Sequence, residues 1–185
     1  MFLGSYVFVE LYLLAGILII FLAGSLIHFL YGWTKNNFII GLFSPINESV
    51  WEHTKLGLVP TFLYWIIGYF IFSSYPTVTF NSWFTGCLIS MLLSAVLVPL
   101  FFYFYPNIFG KQKLWKDILL FFVATLISQL LGIHVFTHTL GLPRFTLYLA
   151  FATLFISYAV FTLLPPNLPI FEDKSKRKKR ISYGR

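Results

Sequence analysis

Within eight positions, Glu48, Glu52, His53 and Lys55 place two of the chain's six acids, one of its four histidines and a lysine in a sequence that is 58% hydrophobic and 10% charged. They belong to the stretch Phe43-Ser44-Pro45-Ile46-Asn47-Glu48-Ser49-Val50-Trp51-Glu52-His53-Thr54-Lys55-Leu56, which runs straight into an apolar segment long enough to cross a bilayer. An ionisable group at mid-helix in a membrane costs about 2.5–3.5 kcal/mol, less near the interface, so a cluster of them needs a reason. With His28 from the preceding apolar run, Glu48 and His53 make two imidazoles and a carboxylate, the ligand set of a catalytic zinc or iron site. Glu52 is then the general base or an orienting group, and Asp117 a support. Without a metal, the same trio of His28, Glu48 and His53 forms a Glu/His acid–base pair suited to a lipid-linked substrate at headgroup level.

Plain helix chemistry accounts for part of this cluster. Ser49-x-x-Glu52 is a capping box, and Lys55 lies three residues past Glu52 and pairs with it on the helix surface. Asp117 has Lys116 beside it. Glu48 and His53 fall on the N′ and N4 positions, where a hydrophobic staple normally sits, and capping gives neither of them nor His28 a role. A weaker second ligand set comprises His134 and His138, four residues apart on one helical face, with Glu10 at the same membrane surface.

The elements that must carry these residues follow from hydropathy. Five apolar segments, 7–32, 50–73, 81–104, 116–138 and 145–164, are each long enough to span. Phe38-Ile39-Ile40-Gly41-Leu42-Phe43 is apolar but too short, which predicts a re-entrant or interfacial segment before the second span. The expected fold is therefore an all-α, polytopic membrane bundle over residues 1–166, with a disordered basic tail at 167–185. That tail holds seven Lys/Arg against Glu172 and Asp173, or +5 of the net +7, which suits anionic lipid and argues against nucleic acid. Placing the tail in the cytoplasm puts twelve of the 13 Lys/Arg on that side and only Arg144 outside. The N-terminus is then outside, and the motif sits at the cytoplasmic edge. Cys87 is the lone cysteine, so no internal disulfide forms.

Gly24-Ser25-Leu26-Ile27-His28-Phe29-Leu30-Tyr31-Gly32-Trp33 followed by the Phe43–Leu56 motif resembles an uncharacterised family of small bacterial multi-span membrane proteins, known only as a domain of unknown function. Trp115-Lys116-Asp117-Ile118 resembles its later tryptophan–aspartate segment, while His134, His138 and the basic tail fall outside the pattern. The resemblance implies a bacterial cytoplasmic-membrane protein and no particular activity. Three functional classes stay open. The first is a membrane-embedded enzyme, metal-dependent or acid–base, acting on a lipid or lipid-linked substrate. The second is a small substrate-binding or transport subunit, either an importer component or a proton-coupled carrier. The third is a non-catalytic assembly or regulatory protein. The expected partners are membrane lipid and either another membrane protein or a second copy of the chain.

Overall fold

Apolar runs that cannot hand their amides to water must close their hydrogen bonds along the chain, and here they do so as helices. The computed structural model describes residues 2–109 and 113–173, with side chains for 7–104 and 113–173. Lys111 and the basic run from Lys174 onward lie outside the described residues. The helices are α1 (Phe2–Trp33), α2 (Phe38–Phe43), α3 (Val50–Phe72), α4 (Phe80–Phe109), α5 (Leu114–His138) and α6 (Arg144–Leu163). All except α2 are long and apolar enough to cross a membrane, and the five candidate spans begin within two residues of the expected starts. The chain is an all-α, multi-pass membrane protein. Helix α4 outruns its expected end at 104 and runs on to Phe109. Of the stretch read as tail, Pro169–Phe171 forms a 3₁₀ turn, with the Phe171 ring 5.0 Å from that of Trp51.

Helix α3 is central. Of its apolar window 61% is buried, against 17–28% for the other four spans. A run of tryptophan and amide hydrogen bonds fixes its neighbours: Trp83 Nε1 donates to the Trp65 carbonyl (2.8 Å), Trp65 Nε1 to Gln129 Oε1 (3.1 Å), and Gln129 Nε2 to the Leu13 carbonyl (3.3 Å). These bonds join α4, α3, α5 and α1 in turn, and each polar group gains a partner that hydrocarbon could not supply. Tyr12 and Tyr64 stack at 4.4 Å, and each hydroxyl donates to the other's backbone carbonyl, which clasps α1 to α3. Tyr12→Phe removes one of these bonds and is expected to lower stability by about 1 kcal/mol, read from denaturant unfolding in detergent.

The helix contact that matters most for the site lies further along the same pair. Pro60 has no amide proton, so the Leu56 carbonyl loses its usual partner four residues on. Gly24 of α1 packs on that carbonyl: a Cβ there would stand 2.3 Å from the Leu56 oxygen. The helices therefore approach closely at Gly24, one turn before His28.

Candidate metal centre

The site is built at the start of α3. Ser49 is extended (φ −78°, ψ 153°), and its Oγ accepts the Glu52 amide at 3.3 Å, the N-cap that the sequence predicts. The reciprocal arm of the capping box is not made, because the Ser49 amide donates to Asn47 Oδ1 at 2.9 Å. Glu52 is thereby released and turns inward. Its Oε2 accepts the Lys55 ammonium at 2.6 Å and the Ile46 amide at 3.0 Å, and its Oε1 accepts the Thr162 hydroxyl at 3.1 Å. Lys55 also donates to the Gly41 carbonyl at 2.9 Å, with the Ser44 carbonyl 3.5 Å away. The expected surface pair is in fact a buried clamp, with side chains 0% and 3% exposed. It ties α2 and the 44–49 connection to α3 and α6, and so sets where Glu48 stands.

Glu48 and His53 meet across the N′ and N4 positions with 3.4 Å between Oε2 and Nε2, a polar pair in the place of the staple. His28 comes in from α1, its Nε2 3.9 Å from Glu48 Oε1, and the two imidazole centroids are 5.2 Å apart. One ligand atom from each of the three residues lies within 4.8 Å of the other two, and this is the one such group of His, Cys, Asp or Glu among the described residues. Donors around a tetrahedral ion with bonds of 2.0–2.1 Å stand about 3.3 Å apart, so the Glu48–His53 edge has that spacing, while His28, in a group whose ligand atoms are spread over as much as 4.8 Å, must move inward to complete it. His53 Nδ1 is 2.7 Å from the Ser49 carbonyl. A carbonyl only accepts, so Nδ1 carries a hydrogen and Nε2 is the ring atom turned to the carboxylate. There Nε2 either carries a second proton, making an imidazolium–carboxylate pair, or presents its lone pair to a metal ion. The side chains of His28 and His53 are 28% and 29% exposed and that of Glu48 is 54% exposed, so the group is open to a ligand from outside the bundle.

The other candidate residues lie apart. Glu52 sits with the clamp and not with His28, Glu48 and His53. Asp117 is exposed in the first turn of α5 and is not a member of the group. His134 and His138 stack at 4.2 Å on the exposed side of α5, with His138 Nδ1 3.0 Å from the His134 carbonyl, and Glu10 does not complete a set of three with them. Thr162 and the Gly41 carbonyl were missed by sequence reasoning. Thr162 is 110 residues from Glu52, and no local pattern marks a threonine in an apolar span as the partner of a distant acid.

No curated protein and no solved structure matches the chain. The match that exists extends beyond the motif segments and takes in most of the basic tail: a family of unknown function (DUF6512) covers residues 4–181, and the chain belongs to it.

Proposed function

We propose that this protein is a membrane-embedded, metal-dependent enzyme in which His28, Glu48 and His53 hold a zinc or iron ion and act on a lipid or lipid-linked group. The observation that carries the reading is the convergence of His28, Glu48 and His53, with one ligand atom of each within 4.8 Å of the other two and Glu48 and His53 only 3.4 Å apart. Three protein ligands leave a coordination position open, and a metal held in this way supplies an activated water or polarises a carbonyl or phosphoryl oxygen. His28 lies about one turn inside the end of α1 and His53 about one turn inside the start of α3, at the level of lipid headgroups. Of the two roles expected for Glu52, the orienting one fits its bonds to Ile46, Lys55 and Thr162. We place the site at the inner face of a bacterial cytoplasmic membrane. Lys35 and Lys113 are exposed at this end of the bundle and Arg144 at the other; Lys55, being buried, carries no weight in the positive-inside argument.

The test is elemental analysis of the detergent-purified protein beside the Glu48→Gln/His53→Ala variant, with helix content measured for both. Near-stoichiometric zinc or iron in the wild type and its loss from the folded variant is the expected result. A metal-free wild type after growth in metal-supplemented medium, or metal retained by the variant, overturns the metal centre.

A further inference from the structure

Helix α6 packs against α4 through Phe84 and Phe151 but stands off α3, touching it mainly through long side chains such as the Phe62–Phe155 ring pair at 4.7 Å. A cleft of about 470 Å³ remains between α2, α3 and α6, within the size range of small-molecule sites. Its walls include Phe43 of α2, Leu58 and Phe62 of α3, and Ile156 and Ala159 of α6. Its one charged lining residue, Lys55, spends its ammonium on Gly41, Ser44 and Glu52, and its one hydroxyl, that of Tyr158, is bonded to Thr54 at 2.7 Å. The cleft thus offers no free polar partner. Water would find none of the two to four hydrogen bonds it needs there, and a void would forfeit the dispersion contacts of its walls.

We infer that this cleft binds one acyl chain of a membrane phospholipid, at a site separate from the metal centre. The cleft is continuous with the surface that faces the bilayer, since Phe43 and Ile156 are 46% and 62% exposed at its rim. Its lining of aliphatic and aromatic side chains, with the Lys55 charge committed to Glu52, complements a hydrocarbon chain and no charged ligand. On α3 the lining positions 55, 58, 59 and 62 form one stripe, and His53 lies about 200° round the axis from Lys55. An acyl chain in the cleft therefore occupies the far side of α3 from the histidines, and the inference stands whether or not they bind metal.

The experiment uses the full chain in phosphatidylethanolamine/phosphatidylglycerol vesicles doped with a phospholipid carrying a diazirine midway along one acyl chain, with adducts mapped by peptide mass spectrometry. The expected result is labelling of Phe62, the half-buried cleft residue, alongside open bilayer-facing residues such as Phe70 and Leu163. Val59→Trp and Ala159→Phe each fill the cleft and are expected to cut Phe62 labelling by about tenfold while leaving Phe70 unchanged. Two variants are used so that a failure of one to fold does not remove the test. Adducts confined to bilayer-facing residues, or labelling inside the cleft that neither variant reduces, would each overturn the inference.

Discussion

Lys55→Met is expected to destabilise the protein by about 3–5 kcal/mol, because it strands the Glu52 carboxylate in a buried position without its counter-charge. Methionine fills nearly the same volume, so packing is kept and the loss reports charge and hydrogen bonding. Three backbone positions feel the change: the Gly41 and Ser44 carbonyls lose a donor, and the Ile46 amide is left bonded to a carboxylate that has lost its counter-charge. The double variant Lys55→Met/Glu52→Gln removes both charges and should recover most of the lost stability, since a buried pair replaced as a unit is often neutral. Denaturant unfolding in detergent, followed by tryptophan fluorescence, measures both. If the single and double variants unfold together, the pair is not a coupled clamp. Because the clamp positions the 44–49 connection, metal affinity is expected to fall in the single variant although no ligand has been altered.

Gly24→Leu should separate the metal site from its scaffold more cleanly than any ligand mutation. A side chain at residue 24 collides with the Leu56 carbonyl and with the Phe121 ring, 2.7 Å from the Cβ position, so α1 must move off α3 or tilt. The strain is expected to cost about 1–3 kcal/mol. His28 travels with α1 while Glu48 and His53 stay with α3, so metal affinity should drop by about 10–100-fold with all three ligands still in place. Isothermal titration with zinc reads the affinity, and thermal unfolding reads the strain. Unchanged zinc binding in a folded Gly24→Leu protein would exclude His28 as a ligand.

The spans were legible because hydrocarbon leaves the backbone no choice but to bond to itself, and that constraint is written in hydropathy alone. The N-cap at Ser49 and the meeting of Glu48 with His53 were legible for a local reason, since helix geometry fixes which residues lie one turn apart. The direction taken by Glu52 was not legible. Whether an acid at N3 returns to its own cap or turns inward depends on Asn47 claiming the Ser49 amide, and on Lys55 and Thr162 waiting on the other side. His28 could be nominated from its type but not positioned, because its place depends on the Gly24 approach to a carbonyl that Pro60 leaves unpaired. The stand-off between α6 and α3 had no signature at all, for nearly uniform apolar spans do not say which face meets protein and which meets lipid.

The bond from Thr162 to Glu52 and the one from Thr54 to Tyr158 link residues 110 and 104 positions apart. During synthesis from the N-terminus, Glu52 and Lys55 enter the membrane long before α6 exists, and they wait there as a charged pair missing its last hydrogen-bond donor. Helix α6, made well after α3, is thus the one that completes the clamp under Glu48. A chain in which α6 has not yet docked would hold Glu52 and Lys55 without the Thr162 hydroxyl, so the clamp closes only when α6 packs beside α3.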